Sequence, residues 1–398
     1  MSTRISNKDK YLFLVVSFAI WFPHFIYLPI LSPYMEVMGG TYTFIGIVLG
    51  SYGLMQFVFR MPIGITSDLL KLRKPFIICG LVIGALSCFL FAVTDSLGWI
   101  LVARSLAGVA AATWVVFAVL YSSYFSDQEV HKAMSSISFV VVLAQLLGMM
   151  FSGFLVNAWG WQTPFWIGGF VSLAGAVLAF FIYEPKSAVP KTPVNFRDLT
   201  TVVKEPQLLK IALLSILAHS IIFTTTFGFI PTYVTSIGFE ARDISFIVFA
   251  FMIPHAIATL FMGKMIVPRL GNWRALKYGF LMAALFTLFT PLVETKWLLL
   301  VIQGFSGFAL GVLFPLLLGM SIESISPEKR ATAMGIYQAL YAIGMFVGPF
   351  VAGVLNSSFG ISAGFYFTGL LGLTACALIV FWEKKKSNKE SKRYSLSS

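Results

Sequence analysis

The sequence predicts an all-α membrane protein, with twelve transmembrane helices in two pseudo-symmetric six-helix bundles, and three observations carry that expectation. First, 58% of the 398 residues are hydrophobic and 11% are charged, with a mean hydropathy of +0.87. This lies well outside the usual make-up of a soluble globular domain. Second, nearly uncharged apolar runs recur along the whole chain, each able to supply the roughly 20 helical residues that a bilayer core of about 30 Å requires. Third, the second half of the chain repeats the first.

The runs fall at residues 11–34, 44–66, 76–94, 98–120, 136–157 and 164–183, then at 209–232, 244–264, 276–293, 297–320, 333–355 and 362–382. The first follows "MSTRISNKDK" as a signal peptide's apolar region would. It is too long, however, and passes Pro29 and Pro33 without a small-residue cleavage site, so it reads as a retained helix. Between the sixth and seventh runs lies "EPKSAVPKTPVNFRDLTTVVKEPQLLK", polar and rich in Pro and Lys, which reads as a linker. The expected organisation is a bundle over 1–183, a cytoplasmic linker over 184–208, a second bundle over 209–383 and a cytoplasmic tail over 384–398.

The repeat holds one register. Tyr34, Gly39, Ile45 and Gly64 meet Tyr233, Gly238, Ile244 and Gly263, while Gly148, Gly153, Phe165 and Gly169 meet Gly348, Gly353, Phe365 and Gly369. A duplicated bundle of this kind places a cavity between its halves near the midplane, and rocking of one half on the other opens it to each side in turn.

The formal charge of +12 raises the question of an acidic partner, which the positions of the cations answer. Of 28 Lys and Arg, 24 fall on alternate loops and termini, whereas the opposite loops hold only Arg242 and Lys296. That bias places both termini in the cytoplasm, so the net charge reports topology and no nucleic-acid partner is expected. Cys79, Cys88 and Cys376 lie in apolar runs without metal-ligand spacing, and neither a metal nor a cofactor is expected. With no nucleophile elbow and no phosphate loop, neither an enzyme nor an ATP-driven pump is expected.

Three stretches carry more specific information. "GITSDLLKLRKP" (Gly64 to Pro75) sets Gly64, Asp68 and the cations Lys71, Arg73 and Lys74 where the second run ends. "ARSLAGVAAA" places Arg104 inside the fourth run, four residues before Gly108. "GMMFSG" and "GPFVAG" set Gly148 and Gly153 against Gly348, Pro349 and Gly353, with Gly344 one turn earlier in the eleventh run. On these motifs the chain resembles the major facilitator superfamily, specifically its bacterial drug/proton antiporter-like and metabolite exporters.

The resemblance implies a gate in which Asp68 meets the N-terminal end of the eleventh helix near Ala331, Arg104 associated with proton coupling, and the glycines as close helix contacts. The chain departs from the family pattern at Leu69, where Arg is usual, at Lys71, where Gly is usual, and at Met149, where Pro is usual. The twin loop "GKMIVPRLGNWR" keeps Gly263 and lacks the carboxylate. For the cations of the first loop, plain positive-inside topology is a sufficient reading. For the glycines, simple helix packing is.

Within the runs, Arg104, Arg60, His24, His219 and His255 can carry charge, and no Asp or Glu lies near the middle of any run. His24 and His255 join Arg104 as coupling candidates, because an unperturbed imidazole titrates near neutral pH. Each reads equally as a hydrogen-bonded packing residue. Arg104 is read either as a cavity cation or as a side chain snorkelling to the interface, and Arg60 as an inner snorkel, a gate ion pair or a second cavity cation. Tyr27, Trp114, Phe117, Tyr337 and Tyr341, on helices that the resemblance implies contribute to the cavity, join Gln56, Arg60, His219 and Gln303 as the cavity candidates.

The expected function is alternating-access efflux of small amphipathic compounds or a metabolite, coupled to protons. The alternatives are import or exchange of an organic anion or zwitterion, motivated by the two arginines, and a sensor that does not transport. The expected partners are a small-molecule substrate, protons and membrane lipid, for a monomer in a bacterial inner membrane.

Overall fold

The structure, a computed structural model, describes residues 5–126, 129–185, 203–323, 325 and 330–396. With no water in a bilayer core, backbone polar groups must pair within each segment, which leaves the helix as the form for these runs. The first half contains α1 (Asn7–Val37), α2 (Tyr42–Leu70), α3 (Lys74–Val93), α4 (Leu97–Ser122), α5 (Val130–Trp159) and α6 (Thr163–Ala179). The second contains α7 (Pro206–Ser236), α8 (Ala241–Leu270), α9 (Asn272–Leu292), α10 (Lys296–Glu323), α11 (Arg330–Phe359) and α12 (Ser362–Leu396).

Eleven of these are long and apolar enough to span a membrane; α6 has 17 residues and gains its last turn from bonds of Phe180, Phe181 and Ile182 to carbonyls three residues back. Within the expected cytoplasmic tail, the segment after 383 continues α12 as far as Leu396. It contains neither Gly nor Pro, so nothing in the sequence stops the helix. Most of the expected linker lies outside the described residues.

Prolines break the helices where the halves meet. α1 is interrupted at Tyr27, because Pro29 has no N–H to donate back, and α7 passes through a π-helical turn at Thr225–Phe229 ahead of Pro231. The two breaks face each other: Ser32 Oγ donates to the Gly228 carbonyl at 2.7 Å. A second π-helical turn, Met262–Ile266 in α8, precedes Pro268.

The halves pack alike internally. α1 lies on α5 and α6, α2 on α4, and α3 on α4 and α6; correspondingly α7 lies on α11 and α12, α8 on α10, and α9 on α10 and α12. Between halves, α2 pairs with α11 and α5 with α8.

These pairings are tight at one face only. At the face where α2 begins, a Cβ on Gly46 would come within 3.0 Å of Gly353 Cα, and one on Gly50 within 2.8 Å of the Phe346 oxygen. Thr43 Oγ1 donates to Ser357 Oγ at 2.9 Å, and Gly153 N–H to Ser245 Oγ at 3.0 Å. At the other face, which carries the cationic loops, a Cβ on Gly64, Gly263, Gly319 or Gly335 would meet no atom of the opposite half within 4 Å among the described residues. The molecule is therefore closed at the cation-poor face and splayed at the basic face.

Because Thr43 and Ser357 touch across the closed face, Thr43→Cys with Ser357→Cys, in a background with Cys79, Cys88 and Cys376 replaced by Ala, should form a disulfide on mild oxidation and stop transport until reductant is added. Thiol-labelling and transport assays on the same vesicles check this, and failure to crosslink would contradict the closed face.

Candidate substrate site

The splayed halves enclose a cavity of about 270 Å³, close to the lower end of the roughly 300–1,000 Å³ of small-molecule sites. Trp21, Tyr52 and Trp114 of the first half and Phe223, Phe314 and Tyr341 of the second form its aromatic wall. Its polar side chains are His24, Gln56, Arg60 and Arg104 on one side and His219, His255 and Gln338 on the other, with Gln145 from α5. None of the described lining residues is a carboxylate.

Arg104 is 1% exposed, so it does not snorkel to the interface. Its Nη1 donates to the Tyr27 hydroxyl at 3.0 Å, and its guanidinium lies 4.2 Å from the centroid of the Tyr52 ring. A central arginine costs roughly 2.5–3.5 kcal/mol on insertion scales, and a cation–π contact returns about 0.5–2 kcal/mol. The neutral partners therefore compensate the charge only in part.

Arg60 is also buried, and among the described residues it forms no ion pair. It donates to Gln56 Oε1 at 2.5 Å in its own helix and, across the halves, to Gln338 Oε1 at 2.9 Å and the Tyr341 hydroxyl at 3.3 Å. Tyr52, Gln56 and Arg60 recur every fourth residue on one face of α2, which places Arg60 about 12 Å along the helix from Tyr52 toward the basic face.

The histidines differ in setting. His24 Nδ1 lies 2.8 Å from the Ile20 oxygen and Nε2 2.9 Å from the Ala107 oxygen. Both partners are acceptors, so a neutral ring satisfies one of them and an imidazolium satisfies both. His219 stacks on Tyr341 at 4.0 Å with the rings 1° from parallel, its Nδ1 2.8 Å from the Ser215 oxygen. His255 stacks on Phe251 at 5.5 Å.

Four cavity candidates lie behind the wall. Tyr27 is packed between Phe91 and Phe165, Phe117 stacks on Trp114, and Tyr337 is bonded to Ser215 Oγ at 2.8 Å. Gln303 is 1% exposed, with no hydrogen-bond partner for its amide among the described residues. These four lie on helices that border the cavity, but each turns a different face inward, which apolar sequence does not resolve. The sequence reading also passes over Tyr52 and Gln338, since neither carries a signal until Arg104 and Arg60 are seen to rest on them.

The family model described as Major Facilitator Superfamily matches residues 13–294 and 236–396. The chain belongs to this superfamily. Among its relatives, the inner membrane transport protein YajR of Escherichia coli is 28% identical over 84% of this chain and 74% of its own. Multidrug resistance protein 2 of Bacillus subtilis is 23% identical over 96% and 98%. A solved bacterial homologue of the human lysosomal transporter Spinster, in an inward-facing and occupied conformation, superimposes with a TM-score of 0.78 at 13% identity, covering 96% of this chain and 98% of that one. Superfamily members of this kind are transporters, not enzymes.

The superfamily's loop motif takes a specific form here. Asp68 pairs with Arg73, whose Nη1 also donates to Ser67 Oγ at 2.7 Å. Glu184 caps the start of α3, accepting from Arg73 N–H at 2.5 Å and Lys74 N–H at 3.2 Å, and Lys74 Nζ donates to the Phe180 oxygen at 2.6 Å. The expected meeting of Asp68 with the start of the eleventh helix near Ala331 falls where the side chains, those of residues 330–332, lie outside what the structure describes.

Lys71, where the superfamily usually has Gly, caps α2 in the left-handed region at φ +57°, which explains the usual choice.

The motif glycines split by role in the same way in both halves. Gly148 meets Ile26 of α1, while Gly344 and Gly348 meet Ile216 and Ser220 of α7, each within its own half; Gly108 likewise meets Tyr52. Gly153 meets Ala241 and Gly353 meets Tyr42 and Gly46, each across the halves, beside the Pro349 carbonyl that faces Gly46. Close contact between halves thus belongs to the second glycine of each pair, not to the Gly148 and Pro349 positions alone.

A left-handed conformation costs a non-glycine residue about 1–2 kcal/mol. Lys71→Gly should therefore stabilise the protein by about 1 kcal/mol after the entropy of the glycine is subtracted, measured as a raised unfolding midpoint in detergent.

Proposed function

We propose that this protein is a secondary transporter that exports small amphipathic compounds from the cytoplasm by alternating access, coupled to protons. The observation that carries the reading is the aromatic-walled cavity between the halves, open at one face and shut at the other. A substrate can enter from the open face and leave by the other only if the α2–α11 and α5–α8 contacts exchange one end for the other.

The excess of cations on the loops at the open face makes that face cytoplasmic, and the name of YajR supports a bacterial inner membrane. The export direction draws on the name of Multidrug resistance protein 2. The proton carrier in this reading is His24, which the two facing carbonyls fit to hold a second ring proton, with Arg104 and Tyr52 as its charged and titratable neighbours.

The Asp68 loop is the gate. In the state described here its carboxylate is occupied by Arg73, and closing the basic face would offer it a helix N-terminus instead.

Purified protein in proteoliposomes with an imposed pH gradient should dissipate that gradient when small amphipathic compounds are supplied, and His24→Ala should uncouple proton flux from substrate flux. If no compound moves or alters proton flux, the reading fails. Asp68→Asn should slow turnover several-fold with binding largely retained, measured as initial rates beside equilibrium binding. Unchanged turnover would remove Asp68 from the gate.

A further inference from the structure

We propose that the exported compound is an organic anion, an aromatic carboxylate in its simplest form, whose carboxylate pairs with Arg104. The inference rests on the cavity being the substrate site and specifies what that site selects.

Two guanidinium groups line the cavity, each held by neutral partners: Arg104 by the Tyr27 hydroxyl and the Tyr52 ring, and Arg60 by Gln56, Gln338 and Tyr341. In both side chains Nε is buried without a partner among the described residues. No carboxylate lines the cavity among the described residues, so nothing there offsets either charge.

A buried cation that keeps unused donors is a binding element for an anion, and a guanidinium offers a planar fork that fits a carboxylate by two parallel hydrogen bonds. The two cations lie at different depths. Arg60 sits toward the open basic face and Arg104 deeper, so an entering anion meets a positive field first and reaches its partner beyond it, within low-dielectric walls that strengthen that field.

The surroundings of Arg104 suit an aromatic body. Tyr52 covers one side of the guanidinium, with Phe223 stacked 6.2 Å beyond it, and Trp21 and Trp114 meet edge to face at 5.3 Å across the same wall. A cation of similar shape meets the opposite conditions, two fixed like charges and no counter-charge. The site therefore selects against the cationic amphiphiles that an aromatic cavity would otherwise accept.

The test uses full-length protein in nanodiscs at neutral pH with three probes of one shape, 2-naphthoate, 2-naphthamide and 2-naphthylmethylammonium, and measures affinity by equilibrium dialysis. Naphthoate should bind about tenfold or more tighter than naphthamide, with the ammonium weakest. Arg104→Gln should bring the ratio of naphthoate to naphthamide affinity to about one, a ratio that a damaged fold weakening both probes alike would leave unchanged.

The wild-type order decides the matter even where the variant does not fold. Equal binding of the carboxylate and the amide, or tighter binding of the ammonium, overturns the anion assignment and leaves the export of amphipathic compounds standing. Binding of none of the three overturns that broader reading and this one together.

Discussion

The close backbone approach of the two halves at one face is the contact on which the rest of the structure depends. Where α2 runs along α11, Gly46 and Gly353 let the two backbones touch, and where α5 meets α8, Gly153 does the same against Ala241. Membrane helices gain nothing from burying apolar surface against one another rather than against lipid, so association depends on van der Waals fit and on a few hydrogen bonds such as Gly153 to Ser245. Both need small residues. Since the helices are stiff, holding them together at one end sets how far apart they stand at the other, and the cavity is the space that results.

That space contains charge it does not neutralise. Arg60 links α2 to α11 through Gln338 and Tyr341, so the charged site and the α2–α11 interface share a side chain. Anything that changes the hydration or pairing of that guanidinium changes the energy of the α2–α11 contact as well. Occupancy of the cavity and the strength of the α2–α11 contact are thereby linked through one side chain, with no need for a longer chain of intermediates.

The fold was legible in the sequence to nearly its full extent, because each element is a long apolar run and the bilayer fixes the length that such a run must have. The exceptions have local causes. α6 falls short because its last turn tightens, and α12 runs on because polar residues alone do not end a helix. The site was legible only in its charges. Arg104 and Arg60 stand out in an apolar run, but Tyr27, Phe117 and Tyr337 were assigned to the cavity on helix membership, and a rotation of some 100° per residue decides whether such a side chain faces a cavity or a neighbouring helix. Tyr52 and Gln338 needed the fold itself, since the contacts that give them meaning join residues far apart in the chain.

The duplication explains why the chemistry lies mainly on one side. Carried across the repeat, Arg104 becomes Gln303, Tyr52 becomes Phe251, Tyr27 becomes Thr226 and His24 becomes Phe223. The second half thus keeps the helix positions and the glycine that follows four residues later, Gly108 and Gly307 alike, while giving up the charge, both phenols and the imidazole. Gln303 is left with an unpartnered amide among the described residues, and so is the hydroxyl of Thr226. A fold that tolerates this loss does not need the charged cluster for its stability. The cluster in the first half costs desolvation energy and returns little as packing, so its use is to be sought in what enters the cavity. Asp68 and Val267 repeat the contrast at the basic face. The first half holds both cavity arginines, and the second adds His219, His255 and the aromatic surface that faces them.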